Sequence, residues 1–186
     1  MYDKQAGGNQ LLNPKEILEQ IVGLSHGQKV AGLGCGPKAY FSFQAARIVG
    51  DQGLVYAVDI LKEVLASVES HAKLNGFDNV RTIWSNLEVY GATNIPENSL
   101  DLAMLVNVLF QSKSVANIIK EATRLTKKDG KILIIDWRGV GIPLGPKGDR
   151  RIDPNNIKEL SDALNLTLEK EFQAGQYHFG LIFKKK

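Results

Sequence analysis

Short apolar runs alternate with longer stretches of helical period along most of this chain. The runs fall at 29–33, 54–58, 80–84, 100–106 and 131–136, aliphatic or β-branched in character, as KVAGL, LVYAV and KILIID illustrate. Runs that are apolar throughout such short lengths mark strands covered on both faces. Between and after them, 40–49, 61–75, 113–126 and 154–165 carry the spacing of amphipathic helices. The alternation predicts an α/β protein with a mostly parallel sheet and helices on both faces. Asn13-Pro14-x-Glu16 supplies an N-cap, a proline at the first helical position and an acid able to reach back, so a further helix is expected over 14–23, ended by Gly23 and Gly27. Asp153-Pro154 opens the last helix in the same way, while Asn75-Gly76 and Asp129-Gly130 supply stops. Beyond 165 the period changes. Segments 167–172 and 177–184 are both extended and are joined by Ala174-Gly175-Gln176 with no helix between them, which predicts an antiparallel hairpin at the edge of a seven-stranded sheet.

Composition narrows this picture. With 186 residues, 44% of them hydrophobic, the chain can build one substantial core, so a single domain is expected over 14–184 with residues 1–13 as a flexible N-terminus. No run approaches the roughly 18 apolar residues of a membrane span, and MYDKQAGGNQ lacks the apolar core of a signal peptide, so a cytoplasmic protein is expected. One cysteine and histidines at 26, 71 and 178 offer neither an internal disulfide nor metal-ligand spacing, and no metal is expected. A net charge of +3 favours the approach of an anion without implying nucleic acid. The final Lys184-Lys185-Lys186 reads as a solvated tail.

The candidate chemistry sits in VAGLGCGPKAYF, 30–41. Gly34 and Gly36 fall where backbone leaving a strand must turn sharply and lie close to a ligand. Gly34-x-Gly36-x-x-Ala39, with Asp59 twenty residues on at the end of the next strand, also satisfies the dinucleotide fingerprint, an acid at that place accepting from ribose hydroxyls. A plain tight turn with Asp59 capping the helix near Leu61 is the alternative. A nicotinamide enzyme needs a second set of strands or a substrate domain, whereas here the sheet closes with one helix and a hairpin.

The ordered series GLGCGPK, VYAVDI, WSNLEV, SLDLAMLVNVLFQ and EATRLTKKDGKILIIDW resembles the successive motifs of class I S-adenosylmethionine-dependent methyltransferases, of the ubiquinone/menaquinone methyltransferase-like branch, over roughly 14–184. The resemblance implies a Rossmann-like doubly wound sheet and S-adenosylmethionine or S-adenosylhomocysteine as ligand. It implies that Gly32, Gly34, Cys35 and Gly36 belong to the motif facing the methionine part, that Asp59 takes the ribose hydroxyls with Ile60 beside the adenine, and that Asn86, with Leu87 next to it, faces the adenine amino group. Asn107 then lines the methionine end and the substrate entrance.

Two positions depart from the pattern. Gly32 stands where the family usually has an acid, and Lys38 where it has a third glycine, which predicts weakened cofactor binding. Lys38 could also reach the cofactor carboxylate or point to solvent. Cys35 is expected to fill the tight turn and not to act as a nucleophile. Methyl transfer from a sulfonium needs a base only for an acceptor proton of high pKa, and the candidates are Asp136, His178 and Tyr177. The glycine- and proline-rich segment 138–151 is expected to form a substrate lid. A small-molecule acceptor is favoured because no RNA-binding module is appended. An RNA or protein substrate, with Arg138, Lys147, Arg150 and Arg151 as a basic rim, and a degenerate cofactor-binding module without catalysis are the alternatives.

Overall fold

The computed structural model describes residues 8–139 and 144–186; most of the expected flexible N-terminus (1–7) and the centre of the expected lid (140–143) lie outside the described residues. Seven strands form one sheet: β1 (Lys29–Leu33), β2 (Leu54–Asp59), β3 (Val80–Trp84), β4 (Leu100–Val106), β5 (Thr126–Trp137), β6 (Leu166–Ala174) and β7 (His178–Lys185). Their order is β3-β2-β1-β4-β5-β7-β6. The first five run parallel, and β7 is antiparallel to both β5 and β6, as the hairpin pattern predicts. The order reverses between β1 and β4, and a crevice opens at such a switch point beyond the carboxyl ends of the strands.

Among the described residues, five α-helices flank the sheet: α1 (Pro14–Glu16), α2 (Tyr40–Val49), α3 (Lys62–Leu74), α4 (Val115–Leu125) and α5 (Pro154–Asp162). The Asn13 cap forms as expected, its side chain accepting from Glu16 N at 3.3 Å and donating to Glu16 Oε2 at 3.2 Å. The chain then continues in wider π-helical turns over Ile17–Val22 and stops at Gly23 in the left-handed conformation. Asp153 caps α5 through Asn155 N at 2.9 Å. On one face of the sheet, Phe41, Phe43 and Ala46 of α2 and Val64 and Val68 of α3 pack with Leu18 and Val22. On the other, Ile118, Ile119 and Ala122 of α4 pack with Ile157 of α5. No helix among the described residues is long and apolar enough to cross a membrane.

Some expected boundaries move. Strand β5 begins at Thr126, not at 131, because Asp129 (φ 62°) and Gly130 sit in a bulge where the register jumps from Leu100↔Thr126 to Leu102↔Lys131. That dipeptide therefore kinks a strand; α4 has already stopped at Leu125. Tyr177 belongs to the hairpin turn and β7 starts at His178. The described part of the N-terminus, Gly8–Leu11, forms a 3-10 turn followed by a buried Leu12.

Candidate functional site

The tip of β1 turns so sharply that the N–H groups of both Gly34 and Cys35 donate to Val58 O, at 2.8 and 2.9 Å. Gly34 takes φ 75° and Gly36 φ 66°, values that cost other residues energy. A Cβ on Gly34 would also lie 2.7 Å from Val108. Asp59 ends β2 beside this turn and is 6% exposed. One carboxylate oxygen accepts from Gly36 N at 3.0 Å and the other from Leu61 N at 3.1 Å, so Asp59 both braces the glycine turn and caps the start of α3.

The segment after β3 is tied down from several sides. Ser85 N donates to Asp59 O at 3.1 Å, and Asn86 Oδ1 accepts from Glu88 N at 3.0 Å. Glu88 in turn accepts from Lys113 N at 2.8 Å. Beneath them Glu121, fully buried, accepts from Gly91 N at 2.8 Å and Thr93 N at 3.0 Å and receives a two-pronged contact from Arg124 at 2.7 and 2.8 Å. Burial works to raise the Glu121 carboxyl, but these donors outweigh it and hold the group down at about 2.

At the tip of β4, Asn107 adopts φ 57° and is 3% exposed. Its side-chain nitrogen donates to Asn9 Oδ1 at 2.7 Å, and its carbonyl accepts from Gln111 Nε2 at 2.9 Å.

These pieces enclose a cavity of about 470 Å³ over the tips of β1 to β4. Gly34, Cys35, Gly36, Asp59, Ile60, Asn86, Leu87 and Asn107 all line it, alongside Lys38 and Tyr40. Asn9, Gln111 and Ser112 also belong to the wall and carry no local sequence signal. Lys38 Nζ lies 5.7 Å from the centre of the Tyr40 ring. Burial, with the Asp59 charge adding to it, pushes the Cys35 thiol up to about 12, so it stays protonated and inert.

Gly32 is not part of this wall. It lies within β1 with its α-carbon facing α2, where an added Cβ would collide with Ser42 Oγ. Of the residues that the resemblance assigns to the cofactor motif, Gly32 is thus the one that the cavity wall does not include. Gly32→Asp alone is expected to cost about 1–3 kcal/mol, because a carboxyl is placed at a buried strand position and Ser42 Oγ must rotate aside, with only the steric part recovered when Ser42→Ala is added. Urea denaturation of the two single variants and the double variant measures this; strictly additive losses would mean the two positions do not meet.

None of the three candidate bases lines the cavity. Asp136 is fully buried, accepting from Leu109 N at 3.1 Å, Phe110 N at 3.2 Å and Trp137 N at 2.8 Å. Its burial pushes the carboxyl up to about 7 against those three donors. His178 is fully buried against Trp137, ring centres 4.3 Å apart. Burial, helped by the Arg151 charge, lowers it to about 4, so it is neutral. Tyr177 sits in the hairpin turn, where its carbonyl accepts from Arg138 N at 2.9 Å. Of the expected basic rim, Arg151 binds the carbonyls of Arg138, Gly139, Leu144 and Pro146, stapling the loop; none of Arg138, Lys147, Arg150 and Arg151 lines the cavity.

Comparison with known proteins agrees with the fold. A family model described as a methyltransferase domain matches residues 24–178. A demethylmenaquinone methyltransferase of Geobacillus stearothermophilus is 28% identical over 116 residues, covering 62% of this chain and 47% of that protein. The chain thus spans about half the length of the curated relatives it matches. Among solved structures, a SAM-dependent methyltransferase from Aquifex aeolicus superposes with a TM-score of 0.84 at 22% identity, covering 95% of this chain and 91% of the other. An arsenic(III) S-adenosylmethionine methyltransferase from Chlamydomonas reinhardtii gives 0.70 at 20% identity, covering 88% and 65%.

Proposed function

The chain belongs to the methyltransferase domain family, and from that membership we propose that it transfers a methyl group from S-adenosylmethionine to a small-molecule acceptor. The observation that carries the proposal is the cavity with Asp59 between the glycine turn and the segment after β3. Its volume of about 470 Å³ falls within the range of small-molecule sites. The residues present suit an adenosyl ligand. Gly34 and Gly36 leave room for close backbone approach, Asp59 offers a carboxylate to ribose hydroxyls, and half-exposed Ile60 gives an apolar surface for a base. Asn86 keeps a second lone pair on Oδ1 for an exocyclic amine. Bound S-adenosylmethionine supplies a methyl group on an already activated sulfonium leaving group.

The chain's own part is then alignment and exclusion of water. Among the described residues of the wall, the acids are Asp59 and Glu88, and both are held by backbone N–H groups. Asp136 and His178, buried elsewhere, are assigned no proton transfer. Asn107, Gln111 and Ser112 form the wall on the side of β4, where the acceptor would approach. The small-molecule assignment is favoured over RNA because the basic residues of 138–151 lie off the cavity and Arg151 is engaged with loop carbonyls.

Titration calorimetry is expected to give saturable binding of S-adenosylmethionine and S-adenosylhomocysteine and none of NAD. Binding of NAD without response to either adenosyl ligand would overturn the proposal. Asp59→Ala is expected to weaken S-adenosylhomocysteine by about tenfold or more, since the ribose loses a charged acceptor and the glycine turn its brace. Unchanged affinity would leave Asp59 as a helix cap only.

A further inference from the structure

Asn107 has every polar group but one in use. Its N–H donates to Ile135 O at 2.8 Å, its carbonyl accepts from Gln111, and its Nδ2 donates to Asn9 Oδ1 at 2.7 Å. Side-chain Oδ1 is buried and has no partner. A buried acceptor without a donor is unfavourable, and this one belongs to the cavity wall. The bond to Asn9 decides which way the carboxamide faces, because nitrogen held by the N-terminal turn leaves oxygen as the free end.

Strand order places the site's parts in a line: Asn86 beyond β3, Asp59 at the end of β2, the glycine turn beyond β1 and Asn107 beyond β4. A ligand with its base by Asn86 and its ribose at Asp59 extends its remaining tail toward Asn107. In S-adenosylmethionine that tail carries an ammonium, a cluster of donors that complements an unpartnered carbonyl oxygen.

We propose that Asn9 is a positioning residue for the cofactor's amino-acid tail: by holding Nδ2 of Asn107 it presents Oδ1 of Asn107 as the acceptor for the tail ammonium. The assignment rests on the methyl-donor reading of the cavity and makes the turn Gly8–Leu11 part of the cofactor site.

The test is calorimetry on the full chain with two probes, S-adenosylhomocysteine and 5′-methylthioadenosine, which keeps the adenosyl and thioether groups and lacks the amino-acid tail. Asn9→Ala and Asn107→Gly, the latter compatible with the left-handed backbone, are each expected to weaken S-adenosylhomocysteine about tenfold and to leave 5′-methylthioadenosine within about twofold. Asn9→Asp keeps an acceptor for Nδ2 and is expected to restore the tail-bearing ligand. Equal weakening of both probes, unchanged S-adenosylhomocysteine affinity, or no rescue by Asn9→Asp overturns the assignment while the adenosyl reading stands. If the unmodified chain binds neither probe, the adenosyl reading itself fails and takes the assignment with it.

Discussion

Replacing Glu121 with alanine is expected to cost about 3–5 kcal/mol of stability, because it takes the carboxylate partner from the part-buried Arg124 guanidinium and leaves two backbone donors unpaired at once. Glu121 lies on α4, yet its carboxylate holds Gly91 and Thr93 of the segment that follows Asn86 to Glu88. The loss should therefore spread to the cavity wall and weaken S-adenosylhomocysteine as well. Glu121→Gln keeps one acceptor and should fall between the two. The carboxyl is held at about 2 against an ordinary 4.5. A carboxyl whose folded pKa is depressed stabilises the fold above its unfolded pKa, and that contribution fades as pH falls from about 4.5 through about 2. Urea denaturation at pH 7 and at pH 3 checks both statements; a loss under about 1 kcal/mol for Glu121→Ala at pH 7 would mean that relaxation or water replaces the carboxylate.

Asp136→Asn is expected to cost about 2–3 kcal/mol below about pH 4, since the amide NH2, unlike either carboxyl oxygen, cannot accept from any of the three N–H groups around it. The pH dependence runs opposite to that of Glu121. Burial raises the folded pKa of Asp136 to about 7, so its contribution is fully present below the unfolded value and is lost as pH rises through about 7. Stability of the unmodified chain should decline from about pH 4 to about pH 7 by an amount that Asp136→Asn removes. The same substitution loosens the 3-10 turn Leu109–Gln111, which carries Gln111 to the cavity. A denaturation midpoint with identical pH slopes in the two proteins would show that Asp136 keeps its charge throughout that range.

The elements legible in the sequence are those whose cause is local. Strand runs are apolar because both faces of the sheet are covered, and the Asn13-Pro14 and Asp153-Pro154 signals form caps because their partners lie two or three residues away. The glycine turn and Asp59 were legible for the same reason, each sitting at a strand end. What escaped depends on distant chain. Asn9 and Asn107 are 98 positions apart, and nothing near either announces the bond. Glu121 reads as one half of an ordinary helical pair with Arg124, since its other partners lie about thirty positions back. Asp136 and His178 looked like bases because they stand at the carboxyl edge. Their side chains instead point into packed interior, Asp136 to the turn beyond β4 and His178 to Trp137. At Gly32 the first neighbour of an added Cβ is Ser42 of α2, a contact between elements that the sequence does not announce.

The two tryptophans divide the molecule optically. Trp84, 54% exposed at the tip of β3, donates its indole N–H to the carbonyl of Ile60 at 2.8 Å, and Ile60 lines the cavity. Trp137 is 1% exposed beneath the loop that Arg151 staples. A soluble quencher such as acrylamide reaches the first and not the second, so the chain carries one intrinsic reporter at the rim of its ligand site and another in its core. Ligand arrival at the Ile60 side then registers in the quenchable, red-shifted part of the emission, and loss of the packed interior registers in the shielded part, with no label attached to either.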